Sequence, residues 1–143
     1  MTIANSTVKI RAGRILSRLS HYRRYDAGEA PAALVQLLSK AEGQCLGYYS
    51  NDSNRAEDLV AVTEVGLCWQ GRGEPAFVRY TDIEAAKVHL TKADDLVSAD
   101  GLSFVLSSGG NAFVTILGGT DKFKDAFEFL RFVDRVREDI RGI

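Results

Sequence analysis

The constraint that most limits this chain is the order of elements in its last hundred residues. Seven short strand-like segments, separated by glycine-bearing or polar turns, lead into one long amphipathic helix that runs almost to the C-terminus. The segments are Cys45–Ser50, Asp58–Glu64, Leu67–Gln70, Ala76–Tyr80, Ile83 to about Leu90, Leu102–Ser107 and Ala112–Leu117. Short strands at near-regular spacing favour an antiparallel sandwich or barrel over a parallel sheet. A helix with one apolar stripe then has an obvious place, across the open end. The predicted class is α+β: seven antiparallel strands capped by a C-terminal helix, with one or two helices in front.

Local signals set the details. Leu102, Phe104 and Leu106 alternate with polar or smaller residues, as a half-buried strand requires. The apolar phase slips between Ile83 and Val88, which predicts a bulge. Val65-Gly66 reads as a tight hairpin turn with Gly66 supplying a positive φ. Asp94, Asp95 and Asp100 read as a charged loop before Gly101. In the last helix Thr120 suits the N-cap and Asp121 the helix dipole. Phe123, Phe127, Leu130, Val133 and Ile140 mark its apolar stripe, and Phe104, Phe127 and Leu130 are expected to be buried together. Phe129 and Phe132 fall off that stripe, so they are candidates for a partner contact or a homodimer seam, or for packing against the N-terminal helix.

The N-terminal end is different in character. Residues 1–25 hold Lys9, Arg11, Arg14, Arg18, Arg23 and Arg24 and no acid, a charge of +6. The whole chain carries −1, so the remainder carries −7. Residues 8–22 show a weak helical period, interrupted by Gly13. Pro31 suits the first turn of a second helix, Ala30 to about Ala41, with Gly43 just beyond its end. The chain is therefore divided into a basic segment, 1–29, and a domain with a leading helix, 30–143. Arg11, Arg14, Arg18, Arg23 and Arg24 are candidate contacts for a partner or for anionic lipid. Arginines on one side with Ile15, Leu16 and Leu19 free on the other would suit lipid; those apolar residues docked on the domain would make the segment structural.

Several chemistries lose their signatures. Apolar runs stop well short of a membrane span, and the basic start lacks the continuous apolar region of a secretory signal. Cys45 and Cys68 lie in strand-like segments as small buried hydrophobes, which points to a reducing compartment and so to the cytoplasm. The two histidines, His21 and His89, form no metal spacing, and no C-x-x-C or G-x-S-x-G pattern is present. A base role for His89 beside Asp82 or Glu84 is outweighed by an ordinary strand histidine. Asp52 to Asp58 lacks the glycine and the terminal glutamate of a calcium loop. Gly118-Gly119 serves a strand-to-helix turn better than an anion site. No catalytic residue, cofactor or metal is expected, and nucleic acid is not a favoured partner.

The run Leu59-Val60-Ala61-Val62-Thr63-Glu64-Val65-Gly66-Leu67-Cys68-Trp69, followed by Phe77-Val78-Arg79-Tyr80-Thr81-Asp82-Ile83, resembles the small bacterial pleckstrin-homology-like domains and their GRAM-like relatives. The resemblance covers about residues 44–140. It implies a seven-stranded barrel or sandwich closed by a helix, and says little about ligand. Inositol-phosphate-binding members carry a basic cluster in the first hairpin loop; here that loop, Ser50 to Glu57, has Arg55 against Asp52 and Glu57. The expected role is a non-enzymatic binding or adaptor module acting through a protein partner, in a regulatory or immunity-type setting. The alternative is attachment to an anionic membrane surface through the basic segment.

Overall fold

Eight antiparallel strands in two sheets, with three α-helices, make up the fold in the computed structural model. It describes residues 5–51, 59–70, 75–93, 96–116 and 125–142, with side chains omitted for 5–6, 90–93 and 96–100. Helix α1 (Asn5–Ile15) runs into a 3-10 turn (Leu16–Arg18) and a short strand β1 (Tyr22–Arg24); α2 (Ala32–Leu38) follows. A meander β2 (Cys45–Ser50), β3 (Leu59–Thr63), β4 (Gly66–Gln70) and β5 (Pro75–Arg79) comes next. After a 3-10 turn (Tyr80–Asp82), a second meander runs β6 (Ile83–Ala93), β7 (Leu96–Leu106) and β8 (Asn111–Thr115), and helix α3 (Asp125–Arg141) ends the fold. The strand orders are β1-β2-β3-β4-β5 and β6-β7-β8, and the two sheets do not close into one barrel.

The first sheet is covered on both faces, which explains why β3 and β4 lack alternation. Tyr49, Val60, Val62, Leu67, Trp69 and Val78 face the main core. Leu59, Ala61 and Cys68 face the other way, under Leu34 and Leu37 of α2. A strand buried on both faces reads as a continuous apolar run. The second sheet covers the opposite side of the main core with Ile83, Leu102, Phe104, Val114 and Ile116. The bulge expected in β6 is present, as a register shift between Ile83 and Ala85, and a second falls between His89 and Leu90.

Two local expectations are corrected. Gly66 does not turn the β3–β4 hairpin through a positive φ, since the positive-φ glycines are Gly43, Gly101, Gly109 and Gly142. Thr63 holds that turn instead: its Oγ1 accepts from the amides of Val65 at 3.1 Å and Gly66 at 3.0 Å. Gly66 is required for space, because a Cβ there would lie 2.1 Å from the Val78 carbonyl oxygen. The segment before Gly101 is not a loop, because β7 begins at Leu96 and pairs back along β6. Asp94 and Asp95 lie outside the described residues, as do Asp52–Asp58, Gly118-Gly119, Thr120, Asp121 and Phe123.

The phase of α3 is the largest correction. Asp125, Ala126, Phe129, Phe132, Val133 and Val136 form its buried face, while Phe127 is 47% exposed. Phe129 and Phe132 are therefore core residues at 0% exposure rather than partner contacts. The stripe pivots on Ala126, a small residue that lets the helix approach closely and that a search for large side chains passes over. Phe104 is buried as expected, and Leu130 packs partly buried against the same core.

The basic N-terminal segment joins this core. Val8, Ala12, Ile15, Leu16, Leu19 and Tyr22 are buried in one cluster with the strands and α3. Tyr22 crosses β2 so closely that a Cβ on Gly47 would lie 2.1 Å from its hydroxyl. Arg23 and Arg24 sit on a strand that extends the first sheet.

Candidate functional site

The side chains that carry most enzyme chemistry are occupied or shielded. His21 is exposed, and its Nδ1 donates to the Ser50 carbonyl at 2.8 Å. His89 stacks edge-on against Phe113, with ring centroids 5.2 Å apart. Cys45 and Cys68 are free and buried, and burial pushes both thiols up to about 11. They stay protonated at neutral pH, and a thiol is a poor nucleophile. Asp125 is buried but accepts a hydrogen bond from the Tyr49 hydroxyl at 2.6 Å, which ties α3 to β2. Among the described residues there is no group of three His, Cys, Asp or Glu that could hold a metal ion. No helix of the described residues is long and apolar enough to cross a membrane.

The five candidate arginines are not gathered in one place. Arg11 is held in a bidentate pair by Asp139, through Nε and Nη2 at 3.0 Å each. That pairing raises its pKa further above the ordinary arginine value. Arg14 is exposed on the same helix, beside Arg131 and Arg135 of α3. Arg18 is exposed in the 3-10 turn. Arg23 and Arg24 stand on β1 around a recess of about 300 Å³ with Asp26, Glu29 and Tyr48. Ile15, Leu16 and Leu19 are all buried, so the apolar side of this segment is engaged in the core. It is not available to enter a bilayer without undocking the helix.

The sheet edges separate more sharply. An edge strand offers unpaired amide and carbonyl groups to any other chain, and proteins blunt it with charge, proline or short length. Here β1 is three residues long and carries Arg23 and Arg24. Strand β5 begins with Pro75 and ends with Arg79. Strand β6 carries Glu84, Lys87 and Lys92. Strand β8 reads Asn-Ala-Phe-Val-Thr, with neither charge nor proline. Among the described residues it pairs with β7 alone, and the Asn51 amide touches its end by donating to the Thr115 carbonyl at 2.8 Å.

The face beside this edge is also apolar. Val105 and Phe113 are 45% and 43% exposed, and they border a shallow concavity of about 610 Å³ on the outside of the second sheet. Ala85, Lys87, Ser103 and Asn111 complete its rim. Sequence reasoning identified this strand but not its position. The missing charge was visible in the residues, whereas only the topology shows that the strand is an edge.

The chain matches no protein-family model, no curated protein and no solved structure.

Proposed function

We propose that this chain is a non-enzymatic binding module of pleckstrin-homology-like architecture, which takes an extended segment of a protein partner onto the edge of β8. Seven consecutive antiparallel strands (β2–β8) followed by a closing helix is the order that the resemblance implies, and it supports that architecture. The observation that carries the binding reading is that β8 alone among the four sheet edges has neither charge nor proline. Strand addition draws affinity from main-chain hydrogen bonds and specificity from alternate side chains. The fitting partner is an uncharged, extended stretch whose alternate side chains are β-branched or aromatic and lie beside Phe113. Two buried free thiols fit a reducing compartment such as the cytoplasm.

Selection of linear peptides from a random display library tests this directly. The selected sequences should be extended-type, apolar at every second position, and bound by the native protein. Phe113→Lys should abolish their binding while leaving the protein folded, because Phe113 is half exposed and gives up only its ring contact with His89. No enrichment, or binding that ignores the lysine, would contradict the proposal.

A further inference from the structure

Helices α1 and α3 meet in a crease whose polar lining is entirely arginine. Arg11 and Arg14 come from α1, Arg131 and Arg135 from α3, with Ile15 as the apolar floor, around a recess of about 290 Å³. The residues are spaced three apart on α1 and four apart on α3, so each pair sits on adjacent turns of one helix face. Like charges so placed destabilise a helix. The packing of α1 on α3 adds a second pair across the crease. Arg11 has a structural use in this cluster, joining α1 to α3 through Asp139, whereas Arg14 makes no such tie. Arg137 shows what a structural arginine looks like here: its side chain is largely buried and donates to the carbonyls of Ile83 and Glu84.

The donors in the crease are only partly used. Asp139 takes Nε and Nη2 of Arg11, which fixes that guanidinium in place and leaves Nη1 unassigned. Glu138 takes Nη1 of Arg135 at 3.2 Å. Glu128 lies 3.8 Å from Nε of Arg131, an ion pair too long for a hydrogen bond. Arg14 has no ion pair or side-chain hydrogen bond with any described residue. Planar guanidinium forks match the oxygens of phosphate, often two at a time.

We propose that this crease binds a phosphate-bearing anion, either a soluble phosphorylated small molecule or the headgroup of a phospholipid. The recess lies at or below the roughly 300–1,000 Å³ of drug-sized pockets. It therefore takes a phosphate or pyrophosphate group, with the rest of the ligand outside. Arg14 supplies a whole guanidinium, Arg131 and Arg135 the N–H groups their carboxylate partners leave over, and Arg11 is the pre-positioned one. The site is separate from the β8 edge and stands or falls independently of it.

Calorimetric titration with inorganic pyrophosphate, against chloride at matched ionic strength, is the test. Pyrophosphate should bind and the affinity should fall as salt rises. Arg14→Gln and Arg135→Gln should each weaken binding about tenfold or more, the expected loss of a hydrogen bond between charged groups. Arg14→Gln removes no contact of the fold, so its melt should match the native one. Vesicles of phosphatidylcholine with phosphatidic acid identify the source. Arg14-dependent binding to them, displaced by pyrophosphate, marks a lipid headgroup, and no vesicle binding with intact pyrophosphate binding marks a soluble ligand. No heat with pyrophosphate, or binding unchanged by Arg14→Gln, would overturn the proposal. Vesicle binding equal for phosphatidylserine and phosphatidic acid and insensitive to pyrophosphate would overturn the lipid source.

Discussion

Phe129 meets Tyr49 edge-to-face at 5.2 Å between ring centroids, and Phe132 meets Tyr80 in the same way at 5.8 Å. These two contacts pin α3 over β2 and over the 3-10 turn that joins the two sheets, and all four rings are buried. Phe129→Ala should therefore cost about 3–5 kcal/mol in a denaturant melt, the usual range for a large aromatic truncated in a core. Phe127→Ala, at an exposed position, should cost less than about 1 kcal/mol. Equal losses at the two positions would show that the helix is rotated from the orientation described. The spacing of large side chains puts Phe127 on the apolar stripe and Phe129 off it, the reverse of the packing. What separates them is Ala126 and Asp125 on the buried face. An alanine gives little periodic signal, and an aspartate gives the wrong one until Tyr49 is seen to satisfy it.

The hairpin of β3 and β4 shows how an element's boundaries can be legible while its cause is not. Both strands and the intervening turn are readable from the apolar runs around Glu64-Val65. The residues point to Val65-Gly66 as the cause of the turn, yet Thr63 does the holding. Its hydroxyl accepts from two amides and also lies 2.7 Å from the Glu42 carbonyl and 3.1 Å from that of Gly66. Thr63→Val keeps the shape and removes those bonds, leaving buried amides unpaired. It should destabilise by about 1–3 kcal/mol, measured as a lower urea midpoint; no change would mean that the turn is held by its backbone alone. The double coverage of the first sheet follows the same pattern. Continuous apolar runs were plain in β3 and β4, but the α2 face could be assigned only once Leu34 and Leu37 were seen above Ala61 and Cys68.

At the scale of the whole molecule, the strand order from β2 to β8 and the closing helix were legible, because period, turn chemistry and helix pattern are local. The pairing of β1 with β2, the shared core of the N-terminal segment and the edge position of β8 among the described residues were not, because each depends on contacts distant in sequence. One prediction belongs to the fold as a whole. Cys45 and Cys68 start from a reference of 9.0 and are pushed up to about 11 by burial, and burial also raises Tyr22 and Tyr80 above 10.0. Near neutral pH all four are protonated in both states and contribute equally. Above it the unfolded chain releases protons that the folded one keeps, so stability falls as pH rises. The urea midpoint should be level near neutral pH and decline as pH rises through 9.0 towards 11; a level midpoint throughout would contradict the burial of these groups. The central claim is that β8 is the edge at which a partner strand is added. Amide hydrogen exchange with a selected peptide bound tests it most directly. The account predicts slowed exchange at residues 111–115, with the α1–α3 crease and β1 unchanged. Protection at β1 or in the crease, with none at β8, would contradict it.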